Sequence, residues 1–169
     1  LFFIYSFLGW CTEVVLKYMQ YRRFINRGFF TGPWLPIYGS GAALITLVVG
    51  GVSRFDSSYG TAFIISFALC GTLEYLASYF MERRFHARWW DYSQKPMNLN
   101  GRVWIGNLVL FGLAGVLVIN VANPIVFRLL GGVRPVIKRV VAGVLGAVFA
   151  ADYVVSHFVM KLVKAGVEG

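Results

Sequence analysis

Glu13, Glu74 and Asp152 are the residues of this 169-residue chain that most need a chemical account. Each sits inside an apolar stretch, and a charged side chain at the centre of a bilayer costs about 2.5–3.5 kcal/mol even on lenient insertion scales. Each therefore needs a partner, a proton or water. Their spacing is shared. Glu13 precedes Arg22, Glu74 precedes Arg83 and Asp152 precedes Lys161, in every case by nine residues. Nine helical residues rise about 13–14 Å, so the three acids lie at one depth below the same face, whichever way the chain is oriented. Each also rides a polar stripe: Ser6, Gly9, Glu13 and Lys17; Ser66, Cys70, Glu74, Ser78 and Glu82 at strict i+4 steps; Asp152 with Ser156. Two readings follow. In one, the faces surround a polar pocket open toward the cytoplasm, with Glu13, Glu74, Asp152, Ser78 and Tyr38 contacting a substrate. In the other, the acids are interhelical glue, paired with Lys17 or with Ser and Tyr hydroxyls. Intramembrane ionisable groups mark functional sites by default, which favours the pocket.

The elements that must carry these acids are transmembrane helices. Apolar residues make up 58% of the chain and charged residues 14%, with mean hydropathy +0.67. A soluble domain carries about 25% charge. Gly28–Ser53 and Val103–Phe127 contain no Asp, Glu, Lys or Arg, which makes runs of 26 and 25 residues; a bilayer-spanning helix needs about 20. The expected fold is all-α, a multi-pass helical bundle forming one transmembrane domain over 1–169. Its spans are expected at about 1–20, 35–53, 60–82, 103–127 and 139–162. Gly143, Ala147 and Ala151, with Ala142, Gly146 and Ala150 beside them, form a small-residue surface of the kind that lets helices approach closely in lipid. Leu1–Leu16 lacks a basic start and a small-residue cleavage site and carries Glu13, so it reads as a mature helix rather than a signal peptide. The opening on Leu leaves room for preceding residues.

Net charge is +9. The basic residues fall in short loops between apolar spans, where they anchor to anionic headgroups, so nucleic acid is not the expected partner. The loops after spans one and three hold Lys17, Arg22, Arg23, Arg27 and Arg83, Arg84, Arg88, Lys95, Arg102. With Lys161 and Lys164 near the C-terminus, eleven cations then lie inside, against five (Arg54, Arg128, Arg134, Lys138, Arg139) outside. The positive-inside rule places the N-terminus outside and loops one and three in the cytoplasm of a bacterial inner membrane. Cys11 and Cys70 both lie in apolar spans, so neither a disulfide framework nor a CxxC pair is expected.

An internal repeat runs through the two acidic helices. At an offset of 61, Glu13, Tyr18, Arg22, Arg23, Phe24 and Arg27 match Glu74, Tyr79, Arg83, Arg84, Phe85 and Arg88, six of 15 positions. Arginine pairs at helix exits are a common orientation device, but the shared Glu, Tyr and Phe are not. Spans 1–2 and 3–4 are read as related hairpins, as in many transporter folds.

Two loops are dense in polar and aromatic groups. Asn26-Arg27-Gly28 through Gly39 is too rich in Gly and Pro for a plain helix. It is either re-entrant, covered by protein or water, or an interfacial loop with Trp and Tyr at headgroup depth. In the second loop, Arg88 and Arg102 flank Trp90, Asp91, Tyr92, Asn98 and Asn100. The arginines either hold a phosphate or carboxylate or pair with Asp91 at the surface. No GxxxxGK[ST] occurs, so any ATPase is a separate subunit. Glu82 and His86 have helix-face spacing but no third ligand nearby, and Asp152 and His157 lie on different faces. No metal, cofactor or catalytic triad is expected.

The motifs FFIYSFLGWCTEVV, NRGFFTGPWLPIYGSGA, LEYLASYFMERRFHARWWDYS, NLNGRVW and FAADYVVSH together resemble the ABC-transporter type IV (CmpB-like) family, small multi-pass membrane proteins of bacteria. The resemblance covers nearly the whole chain. It implies that Glu13, Asn26, Arg27, Gly28, Gly32, Pro33, Pro36, Tyr38, Glu74, Trp90, Asp91, Tyr92, Asn98, Asn100, Gly101 and Arg102 are family motif residues. The function expected is a permease subunit that binds a small or amphipathic substrate at the acidic pocket, within a homo-oligomer or a larger complex. The alternatives are an intramembrane enzyme acting on a lipid or isoprenoid, with Glu13 or Glu74 as general acid/base and Arg27 or Arg102 holding a headgroup, and a non-catalytic assembly subunit.

Overall fold

The computed structural model describes residues 1–26, 28–52 and 58–167, the side chains at 52 and 163–167 excepted. Arg27, Arg54 and the Lys164 side chain lie outside the described residues. Helices α1 (Phe2–Tyr21), α2 (Pro36–Val52) and α3 (Tyr59–Phe85) are followed by strands β1 (Asn98–Leu99) and β2 (Val103–Trp104). Then come α4 (Ile105–Leu117), a π-helical turn (Val118–Ala122), α5 (Asn123–Gly131) and α6 (Pro135–Val167). Where they are described, the expected spans overlap helices, with two adjustments. Among the described residues three helices, not five, are long and apolar enough to cross a membrane, Tyr59–Phe85, Ile105–Gly131 and Pro135–Leu162, and α1 is not one of them. The described part of α2 is 17 residues, a rise of about 25 Å, and its apolar stretch Pro36–Gly51 is shorter than these three. The other adjustment concerns the all-α expectation: Val103 and Trp104 leave the fourth span and pair with Leu99 and Asn98 in a small antiparallel hairpin.

Helix ends follow local chemistry. Arg22 and His86 close α1 and α3 in the left-handed conformation (φ 55 and 53), their N–H groups bonding to the carbonyls of Tyr18 and Glu82 at 2.8 Å. The repeat therefore does not end in register: Arg22 is a cap, whereas its match Arg83 lies inside α3. Ser58 caps the start of α3 by accepting from the Thr61 N–H. In the hairpin turn, Asn100 and Gly101 both have positive φ (55 and 68), and the Arg102 N–H returns to the Leu99 carbonyl at 3.0 Å. These are the signs of a type I′ turn, which Asn-Gly favours. Pro124 has no N–H to give. The i→i+5 turn just before it closes with the Asn123 N–H on the Val118 carbonyl, and the Asn123 side chain is buried.

Both acidic helices are followed by a segment that doubles back. The Leu35 N–H bonds to the Ser6 carbonyl at 3.1 Å, so between Tyr21 and Leu35 the chain descends beside fifteen residues of α1, about 22 Å. Phe30, Trp34 and Leu35 are buried on the way. Among its described residues the 26–39 segment buries Phe30, Trp34, Leu35 and Gly39 while Asn26, Gly28, Thr31 and Tyr38 stay exposed, and α2 starts beside the first half of α1. The 86–104 segment does the same along α3, and α4 starts beside Glu74.

Contact depends on small residues. A Cβ on Gly39 would overlap Ser6, on Gly71 Leu108, on Gly112 Phe63 and on Gly115 Ser66. Ser6 and Ser66 are fully buried at these crossings. The expected small-residue surface of α6 behaves differently: Gly143 and Gly146 have nothing within 4 Å, and Ala142, Ala147, Ala150 and Ala151 are exposed. That surface faces no helix of its own chain. Gly115→Ala should destabilise the protein by about 1–3 kcal/mol, the cost of overpacking. Gly143→Ala should leave stability unchanged or raise it by up to about 1 kcal/mol. Thermal unfolding of the two variants in mild detergent checks the contrast.

Candidate functional site

The polar stripe of α3 is where the candidate residues gather. Glu74 is 4% exposed. Its Oε1 accepts from the Tyr92 hydroxyl at 3.2 Å and from Asn107 Nδ2 at 3.0 Å, and the same amide nitrogen lies 2.5 Å from the Tyr92 hydroxyl. Its Oε2 is buried with no hydrogen-bond partner among the described residues. One turn on, Ser78 Oγ accepts from Arg102 Nη1 at 3.3 Å. After another turn, Glu82 receives Arg88 at 2.8 Å on one oxygen and Arg102 on the other. The two arginines expected to flank Asp91 as an anion clamp are turned onto this carboxylate of their own chain. Arg88 keeps only a longer approach to Asp91, 3.8 Å.

The second loop folds as a knot on this stripe. Trp90 Nε1 donates to the Arg102 carbonyl, the Tyr92 N–H to the Gly101 carbonyl, and Asn100 Nδ2 to the Tyr75 hydroxyl at 2.9 Å. Asn98 spans the turn, donating to the Lys95 carbonyl and accepting from the Gly101 N–H. Gly101 is required twice over: its φ is +68, and a Cβ there would strike Ser93 and Asp91. The Ser93 hydroxyl and N–H both bond to Asp91 Oδ1 and hold its carboxyl below the usual range, with a smaller contribution from Arg88. The bond to Glu82 pushes the Arg88 guanidinium up.

The other two acids have separate partners. Asp152 accepts from the Thr31 hydroxyl, from the Gly32 N–H at 3.0 Å and from the Ser156 hydroxyl at 3.3 Å, while the Thr31 N–H bonds to Ser156 Oγ. Around this latch, Phe149 contacts Phe2, Phe3, Phe30 and Trp34, and α6 is held to the return segment. Glu13 accepts from the Tyr38 hydroxyl at 2.7 Å. Asn26 accepts from Trp10 Nε1 and donates to the Thr31 carbonyl at 2.9 Å, and Gly28 (φ +107) abuts Leu35. Ser78 therefore joins the Glu74 stripe. Tyr38 joins Glu13, and Asp152 stands with Thr31 and Ser156. No hydrogen bond among the described residues links the three sets. Two cavities, of about 300 and 200 Å³, are lined mainly by apolar side chains and contain none of the acids. Glu82 is spoken for by arginine, and no group of three His, Cys, Asp or Glu suited to a metal occurs among the described residues.

The family profile described as "Putative ABC-transporter type IV" matches residues 1–157. The chain belongs to that family. No curated protein and no solved structure matches it. Family membership, and three helices among the described residues long and apolar enough to cross a bilayer, fit a helical membrane protein whose family name points to an ABC-transporter type.

Sequence reasoning passed over three site residues. Asn107, half-buried, and Asn123, buried, are the amides of the long uncharged run that bond to other helices; Asn123 accepts from the Tyr5 hydroxyl at 2.7 Å and donates to Thr46 at 2.8 Å. An amide in such a run is itself a signal, because it must find a partner there. Thr31 had no comparable signal. Two outcomes are expected. Glu82→Gln should release both arginines and speed tryptic cleavage after Arg88 and Arg102 several-fold. Protection of the 91–93 turn should be full above about pH 3.9, the ordinary Asp value, and should fall as the pH drops through the lowered value in the folded protein. Hydrogen exchange corrected for intrinsic rates reads this, and Asp91→Asn should abolish the pH dependence.

Proposed function

We propose that this chain is an integral-membrane subunit of a transport complex, with its substrate engaged at Glu74 and ATP hydrolysis supplied by a separate subunit. One observation carries the reading. Glu74 is fixed by two donors on Oε1, yet Oε2 is buried and bare. An unsatisfied carboxyl oxygen among apolar side chains is costly, and a donor or cationic group on a substrate would relieve that cost. Glu13, Asp152, Ser78 and Tyr38 then shape the site by holding the two return segments. The substrate is a small or amphipathic molecule able to donate to a carboxylate, and the complex contains further copies or subunits.

The two hairpins are read as a duplication. Tyr38 and Asn107 are each the third residue of the following helix, and each donates to the acid of the preceding one. The first turn of the following helix also covers a glycine one turn before the acid, Tyr38 over Gly9 and Leu108 over Gly71. The ends of α1 and α3 carry Arg22, Arg23, Arg83 and Arg84, none with a carboxylate partner among the described residues, and the positive-inside rule then puts them in the cytoplasm of a bacterial inner membrane.

The test is purification of the chain from native membranes in mild detergent, with mass spectrometry of what accompanies it. The expected result is a copurifying ATPase and a bound small molecule, its occupancy lowered at least about tenfold in Glu74→Gln, the worth of one hydrogen bond to a charged group. The variant's melting temperature should stay near wild type. Equal occupancy in Glu74→Gln would remove Glu74 as the substrate contact. No ATPase together with a chemically altered bound lipid would replace transport by lipid enzymology.

A further inference from the structure

The larger cavity lies beside the Glu74 stripe, on a different face of α3. Its volume is about 300 Å³, and it runs between α3, the β-hairpin and α4, lined by Phe67, Gly71, Tyr75, Leu99, Val103 and Leu108 among others. It is a side-opening groove. Leu99 and Leu76 on its walls are exposed, as is Met97 at the base of the hairpin. It lies on Tyr59–Phe85, one of the helices able to cross a membrane. Hydrocarbon is what such an opening meets.

The chemistry changes along its length. Gly71, Tyr75, Tyr79 and Arg83 follow one another at i+4 steps on α3. The first two line the groove. Tyr79 lies between two guanidiniums, Arg83 at 5.0 Å and Arg102 at 5.4 Å from its ring, and Arg102 also stands over Tyr75. Arg102 is neutralised by Glu82. Arg83 is exposed and has no carboxylate partner among the described residues; neither does its neighbour Arg84. From Gly71 to Arg83 the helix rises about 18 Å. Half of a hydrocarbon core is about 15 Å. Arg83 at headgroup level therefore sets the groove at acyl-chain depth, with an aromatic shoulder between. A slot that is apolar within, aromatic at the shoulder and cationic at the rim complements one kind of molecule in the surrounding bilayer.

We infer that this groove binds an anionic phospholipid, with one acyl chain between Gly71, Leu99, Val103 and Leu108 and the phosphate on Arg83. The packing of Tyr79 against Arg83 fixes the guanidinium two turns of α3 beyond Tyr75, about 12 Å along the helix, and the Asn100–Tyr75 bond ties the hairpin wall to α3. The inference rests on the membrane reading and not on transport.

The experiment is native mass spectrometry of the full chain released from nanodiscs of phosphatidylcholine and phosphatidylglycerol in equal parts. Wild type should retain phosphatidylglycerol in preference to phosphatidylcholine. Ala68→Phe, which adds volume to the groove from an exposed position on its wall, should lose the retained lipid at an unchanged melting temperature. Arg83→Gln should keep a lipid but lose about five-fold of the preference, the worth of one interfacial cation. Equal retention of the two lipids by wild type would overturn the inference, as would wild-type retention by Ala68→Phe. A doubled protein mass without lipid would give the groove to a second copy instead.

Discussion

A carboxylate on an apolar helix must find donors, and in this chain that requirement decides where the connecting segments run. Glu74 lies eleven residues before the end of α3, and its donors come from Tyr92 and Asn107. To deliver them, the 86–104 segment has to lie back along the helix, and α4 has to begin beside the acid rather than beside the helix end. The hairpin, the Glu82 double ion pair and the apolar groove between α3, the hairpin and α4 are consequences of that return. The same logic acts on α1, where Tyr38 reaches Glu13 only because the chain has doubled back to the level of Ser6.

Apolar burial has a different part. In lipid there is little hydrophobic drive between helices, so contact depends on how closely backbones approach. Serine against glycine supplies that approach at the crossings of α1 with α2 and of α3 with α4. α6 has no such crossing. It attaches through the Asp152 latch and the aromatic cluster at Phe149, and its small residues stay on the outside. The bundle is thus two tight hairpins, α2 packed on α3 between them, with a sixth helix clasped by a loop.

Much of the candidate site was legible. The i+4 stripe on α3 could be read because helical periodicity puts every fourth residue on one face, and the structure sets Glu74, Ser78 and Glu82 against one knot of loop. Asn100-Gly101 announced a type I′ turn, although the uncharged run beginning at Val103 drew attention to a span instead. The partners were not legible. Tyr92 is 18 residues from Glu74 and Asn107 is 33, and nothing in spacing selects them among other hydroxyls and amides. The Arg88–Arg102 pair shows the ambiguity: two cations beside Asp91 suggest an anion site, and only the fold reveals that Glu82, on another element, takes both.

By itself, then, the sequence determined the class of molecule, the helical segments, the shared nine-residue spacing of each acid from a following cation and the family, because these follow from composition, periodicity and contiguous motifs. The tertiary structure decided which donors meet which acid, that no hydrogen bond among the described residues links the three acids' surroundings, that two loops fold inward, and that an apolar groove opens beside α3. Those outcomes depend on contacts between residues far apart in the chain. The balance of desolvation and hydrogen bonding that selects such contacts exists only once the helices are side by side.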